Sequence, residues 1–453
     1  MRKRIKLFLV LCFMLAGIVL PGRDVRASEV QAPEEYSDYT KVDVTKYGAD
    51  RKGGKNAQNA FKNAVAAVEA MQEEGKKALV YLPSGTYRLD NYVAVRGSEI
   101  IFLAESDVVV NAKSAINVQV GGTAIVKGGT WVYSGSKSDK KNLFFANKDT
   151  RIELCDLKIK KAYKAVHLTE AAGSLKNLKV ENSHYIAVAA TKNSNVTISN
   201  CKFNKNDMAV MISASKAVCD NITVTNSKNM GMESIEKSKV TVKNSTFTTN
   251  GSGYKPGKNT YKGHGMGVYT KSKVTVENCT FSNNVQCGIS LQGGDVVVNN
   301  SQIVKNGRQG IGTREKCNVT ATNTTIKGNG RDTREISHGN HGVIIVNGSK
   351  GTFTKCKISD NKFAGIWVDG GGSSVTVKQC EFKGNKEYPI QLTCKKGKVT
   401  LVSNNCTYKN SKHGVWFVLQ GSAKYKLTKK GTNKFSNTPD KFMLNKGGKV
   451  KKL

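Results

Sequence analysis

The sequence predicts an all-β chain wound as a right-handed parallel β-helix, a solenoid whose coils stack along one axis. Three observations predict it. A segment recurs about every 22–26 residues, it alternates β-branched and polar residues, and a small residue with a short apolar run follows each copy. Val274-Thr-Val-Glu-Asn-Cys-Thr-Phe-Ser-Asn-Asn284 matches Val375-Thr-Val-Lys-Gln-Cys-Glu-Phe-Lys-Gly-Asn385 position by position. The segments 196–206 and 240–250 match as well. The runs that follow include Ala209-Val-Met-Ile212, Gly288-Ile-Ser-Leu291, Gly342-Val-Ile-Ile345 and Gly365-Ile-Trp-Val368. One such unit cannot bury its own apolar face, whereas stacked units bury a continuous core.

Two columns inside the repeat suit a solenoid. Asn200, Asn244, Asn278, Asn300, Asn323 and Asn405 precede the Cys or Ser position. Asn tolerates tight turns, and stacked amides bond along the axis. Cys155, Cys201, Cys279, Cys356, Cys380 and Cys406 share a position held elsewhere by Ser or Thr, which marks a slot for a small inward side chain. No Cys-x-x-Cys occurs, which disfavours structural zinc. Free thiols are expected, although coils about 4.8 Å apart leave a Cys356–Cys380 or Cys380–Cys406 bridge open.

The ends differ from the middle. Residues 1–27 have a basic start (Arg2, Lys3, Arg4, Lys6), the apolar stretch Leu7–Leu20, and Val25-Arg26-Ala27 before Ser28, as in an export signal. The apolar stretch falls short of the ~20 residues a membrane span needs. Residues 28–41 form a polar linker, and 42–453 the β-helix, with an N-terminal cap over about 42–90 and a C-terminal cap over about 420–453. Ala60, Phe61, Ala64, Val65, Val68 and Met71 fall at helical spacing. The expected product is therefore secreted, extracellular or wall-associated, with no membrane segment once the signal is cleaved.

Charge narrows the partners. Lys and Arg total 71 against 34 Asp and Glu, a net +37. Most of it is lysine spread along the chain, whereas nucleic-acid readers favour Arg forks and local patches. An acidic polysaccharide or anionic cell-wall polymer fits a diffuse Lys coat better than nucleic acid does. Oligomeric state is not legible.

Tyr47-Gly48-Ala49-Asp50, the helix at 59–71, and Val80-Tyr-Leu-Pro-Ser-Gly-Thr-Tyr87 resemble the N-terminal module of the pectate lyase-like superfamily. The downstream repeats resemble that superfamily's β-helix coils. The resemblance covers nearly all of 42–420 and implies that the helix caps the solenoid. It departs after Asp50, where Lys52, Gly53, Gly54 and Lys55 replace the usual acidic residues. The superfamily spans lyases, hydrolases, epimerases, tailspikes and non-catalytic surface proteins, so the fold alone does not choose among them.

The resemblance implies a substrate groove along one sheet, read here as the sheet of the apolar runs. Its first outward column is expected to carry Glu233, Tyr269, Trp367 and Trp416, and its second Lys271, Gln292, Arg314 and Asp369. Two long insertions enter this face. Gly251–Gly263 leads into His264, and Gly330–Asn340 contains His338 and precedes His341. The expected catalytic set is Lys271, Arg314, Tyr269, Glu233 and His264. The expected substrate contacts are Trp367, Trp416, His341, His338, Gln292 and Asp369. Beside a uronate carboxylate a base removes the C5 proton and cations neutralise the enolate. The resemblance implies Lys, Arg, Tyr or His in these roles, often with Ca²⁺, but no Asp cluster for that ion is visible and no metal ligand is assigned.

The leading expectation is thus lyase- or epimerase-type action on an acidic polysaccharide. The alternatives are a non-catalytic surface or wall-binding protein, and a glycoside hydrolase or tailspike-like depolymerase. Hydrolysis needs two carboxyls about 5–9.5 Å apart. Glu233 and Asp369 lie about five coils apart, roughly 24 Å, and Gly263-His264-Gly265 with Asn206-Asp207 resembles polygalacturonase motifs only in part.

Overall fold

A computed structural model describes residues 34–255, 262–331 and 340–453. The expected signal, residues 1–27, and His338 lie outside the described residues. Of the first unit, Met1–Tyr39, the described part holds one 3-10 turn, Glu34–Tyr36. The second unit, Thr40–Leu453, carries the coils.

Three sheets of sixteen strands run the length of that unit, and each coil gives one strand to each. One coil supplies Lys273–Glu277 to the first sheet, Thr280–Ser282 to the second and Ile289–Gln292 to the third. Neighbouring strands pair in parallel because each is one coil on from the last. β-Branched residues point inward, as at Val274 and Val276, and aromatics stack on the second sheet, with Phe247 and Phe281 rings 4.9 Å apart.

Two asparagine columns shape the corners. Asn200, Asn244, Asn278, Asn300, Asn323 and Asn405 all adopt left-handed φ of 50–55°, turning the chain from first to second sheet with one residue. Asn is the L-residue that enters that region at least cost. The second column closes the following corner and is buried. Asn250, Asn284, Asn306, Asn329, Asn361 and Asn385 pass their amides along the axis at 2.9–3.1 Å. Each Asn from 284 to 361 also bonds the carbonyl and N–H of the preceding coil, as Asn306 does with Phe281 O and Asn284 N. A buried corner otherwise strands such backbone groups.

The cysteine column needs one correction. Cys201, Cys279, Cys356, Cys380 and Cys406 are buried in the small slot, where Ser245 and Ser301 sit in other coils. Cys155 instead lies in register with Lys176, at the outer end of a first-sheet strand, and is half-buried. Leu157 takes the inward slot in that coil. All ten described cysteines are free.

The helix Gln58–Glu73 buries Ala60, Phe61, Ala64, Val65 and Val68 against the first coils, with Met71 packed at its edge. An uncovered first coil would expose sheet edges. Ahead of it, Asp50 accepts from the N–H groups of Lys52, Gly54 and Lys55, which holds its carboxyl below the usual range. At the other end Phe442–Lys446 is the last parallel strand, and Lys449–Lys452 folds back on it antiparallel. No helix among the described residues is long and apolar enough to cross a membrane.

Candidate functional site on the third sheet

The outward row of the third sheet reads Phe145, His167, Ala189, Met211, Glu233 and Gly267 in successive coils. It continues through Ser290, Gly312, Ile344, Trp367, Gln391 and Trp416. Tyr269 was expected in this row, but in register it pairs with Gln292 in the second column. Gly265, not Gly267, is the small residue that opens this coil's run, so the expected alignment is two residues out. The ring nevertheless reaches the first row. A Cβ on Gly267 would lie 2.6 Å from Tyr269 Cε2, so the ring folds over the bare glycine.

Tyr269 is buried there, with Ser290 beside its hydroxyl and the Glu233 carboxylate near enough to act on the phenol. Burial pushes the phenol up, and Glu233 adds to this. Glu233 is half-buried one coil earlier, and desolvation raises its carboxyl. The Glu233 carboxylate makes no hydrogen bond or ion pair among the described residues. A raised carboxylate without a cation beside it is a candidate proton acceptor.

Below Tyr269 the small residues Ser290 and Gly312 floor a cavity of about 330 Å³. Arg308, Arg314, Gln309, Trp367 and Asp369 rim it. Trp367 is fixed from behind, donating to Thr393 Oγ1 at 2.9 Å while Thr393 donates to Asp369 Oδ1 at 2.6 Å. His341 stacks on Trp367 with ring centres 5.1 Å apart. Trp416 sits two coils further on, donating to Asp440 and edge-on to His413.

The family profile described as the right handed beta helix region matches residues 164–332 and 264–430, together more than half the sequence. The chain belongs to the right-handed β-helix family. No curated protein matches it. The GH87 alpha-1,3-glucanase catalytic unit of Streptomyces thermodiastaticus is similar, with TM-score 0.50, 14% identity, and 92% of this chain against 71% of that one. The A-module of Azotobacter vinelandii mannuronan C-5 epimerase AlgE4 aligns over 88% and 100%, with TM-score 0.43 and 12% identity. PfbA, a surface adhesin of Streptococcus pneumoniae, aligns over 91% and 95%, with TM-score 0.36 and 15% identity. At 14% identity the likeness to the glucanase unit shows the β-helix fold alone.

Other expected residues of this β-helix fall at varied places. Lys271 follows Thr270 in a left-handed turn past the strand, with φ of 62°, and stands in solvent. It shares a shallow cleft with Tyr269, Gln292, Glu236 and Glu315, so its charged neighbours there are acidic. His264 is buried, and its Nδ1 accepts from Cys287 N at 3.2 Å, which makes it a strut between coils. Three residues unassigned from the sequence belong to the site's setting. Arg308 and Tyr185 were missed because each precedes its strand, and Asp207, which also precedes its strand, was named only in a partial motif and given no role. No three His, Cys, Asp or Glu side chains come together as a metal set among the described residues.

Proposed function

We propose that this protein is an exported, carbohydrate-active β-helix that acts on a uronate-containing polysaccharide by elimination or epimerisation. The placement of Glu233, Tyr269 and Arg314 on one face of the third sheet, with the Tyr269 ring folded over Gly267 in the Glu233 row, supports this reading. The chemistry asks for a base, an acid and a cation. Glu233, raised by burial, takes the C5 proton. Tyr269, kept protonated by burial and by Glu233, donates to the leaving O4 as the C4–O4 bond breaks and C4=C5 forms. The proton on Glu233 then restores the phenol. In epimerisation O4 stays, Tyr269 gives its proton to C5 on the other face, and the proton held by Glu233 then restores the phenol. Arg314 and Arg308 meet the substrate carboxylate, whose charge grows as the enolate forms.

Purified protein on uronic-acid polymers should generate the ultraviolet absorbance of unsaturated ends or, for epimerisation, deuterium from solvent at C5. Neither signal from any polyuronate would overturn the enzymatic reading.

One observation favours a second reading, a non-catalytic binder of anionic polymers. Lys216, Lys239 and Lys273 stack in register, as do Lys158, Lys179 and Lys202. Like charges about 5 Å apart repel unless a counter-charge lies over them. Binding without turnover, lost at high salt, would select this reading.

A further inference from the structure

Two coils before Glu233, roughly 10 Å along the axis, the entry edge of the third sheet carries a second feature. Tyr185 stacks on Tyr163 with ring centres 5.2 Å apart and planes at 30°. Tyr163 is packed against the core, but Tyr185 remains 40% exposed. The solenoid interior gains nothing from that outer ring. Lys164 Nζ lies 5.8 Å from its centre. Asp207, on the next coil, is near enough to act on the Tyr185 phenol, as is Glu233. Asn229 Nδ2 donates to Asp207 Oδ2 at 2.6 Å, and the Asp207 carboxylate makes no other hydrogen bond among the described residues. The carboxyl is thus oriented from one side, with its other oxygen available.

We infer that Tyr185 is a sugar-ring subsite for the polymer, with Tyr163 as its support and Lys164 and Asp207 as its polar rim. The apolar face of a pyranose lies on an aromatic ring because both surfaces lose water together, while the hydroxyls at its edge need polar partners. Asp207 and the Tyr185 hydroxyl supply these. Lys164 gives the site a preference for a ring that carries a carboxylate. The inference rests on the polysaccharide reading above, and it adds that the protein grips the polymer away from the reacting bond. Remote contacts of this kind lengthen the substrate required without touching the chemistry.

Retention of the purified protein in native gels cast with the polyuronate it binds tests this without any need for turnover. Tyr185→Ala is expected to bind about tenfold more weakly, and Tyr185→Trp, which keeps the stacking face, to bind as wild type does. A short oligomer spanning only the Glu233–Arg314 stretch should bind both equally. Because Tyr185 is outside the core, unchanged circular dichroism and melting should accompany the loss. Equal retention of wild type and Tyr185→Ala would overturn the subsite while leaving the polysaccharide reading intact. If wild type is retained by no polysaccharide, that reading fails and takes the subsite with it. If Tyr185→Trp binds as weakly as Tyr185→Ala, stacking is not the basis of the contact.

Discussion

Inside the solenoid the same side chain recurs coil after coil, whereas on the outer row of the third sheet almost no two neighbours agree. The buried corner from Asn250 to Asn385 repeats one amide with one set of bonds. The outer row passes through an imidazole, a methionine, a carboxyl, a glycine under a phenol, and two indoles within the same stack. Both rows have the same spacing and hydrogen-bonded strands. The interior must satisfy every backbone group in every coil, so its solution repeats. The outer face is under no such constraint, and differences there report on what it contacts.

Three substitutions break or sharpen that contrast. The largest effect is expected at Glu233. Glu233→Gln should lower turnover of a uronate polymer by about 10²–10⁴-fold, the usual worth of a positioned acid or base, with binding retained. Its effect on stability carries the opposite sign. The folded state holds this carboxyl above its ordinary value, so it binds more protons than the unfolded chain, and stability falls as pH rises through that window. The Gln variant should therefore unfold slightly later than wild type at neutral pH and equally at acid pH. Loss of stability with full activity would mean that Glu233 is structural.

Asn306→Ala should act only on stability. It leaves Phe281 O, Asn284 N and the Asn329 amide short of partners in a dry corner. A cost of about 3 kcal/mol should appear in denaturant unfolding, with activity per folded molecule unchanged. A cost near zero would show that the ladder is dispensable.

His167, in the outer row beside Phe145, should give the smallest change at neutral pH. Burial, with Lys164 adding to it, holds its imidazole down at about 4 against an ordinary 6.5. The unfolded chain binds the proton first, so stability is lost as pH falls from about 6.5 toward 4, by up to ~3 kcal/mol. His167→Phe should flatten that part of the pH–stability curve and match wild type at neutral pH. An unaltered curve would place the acid sensitivity elsewhere.

Much of the fold and part of the site are legible in the amino-acid pattern. Val-Thr-Val and Gly-Ile-x-Leu alternation separates inside from outside correctly even at Tyr269, where the expected column is wrong. Strands have a period of two, so a two-residue slip keeps the face and changes only the neighbour. The slip arises because the insertion 251–263 precedes that coil and offers both Gly265 and Gly267 as its start. Cys155 is displaced by the same two residues, since a Cys fits the end of a strand as readily as the slot beyond it. The buried asparagine ladder is visible as the last residue of each repeated segment, but sequence does not distinguish an Asn that turns the chain from one that bridges coils.

What the sequence determined by itself was therefore the solenoid, its capping helix and the outward face of the third sheet, because local periodicity encodes them. What only the tertiary structure decided was which residues meet on that face. Glu233 and Tyr269 are 36 positions apart in the chain, and their placement in neighbouring coils depends on the length of the insertion between them and on a glycine bare enough to admit a ring. Lys271 and Arg314 share a column by counting, yet one lies in an exposed turn and the other rims the cavity. Stacking sets those outcomes coil by coil, and no repeat pattern carries them.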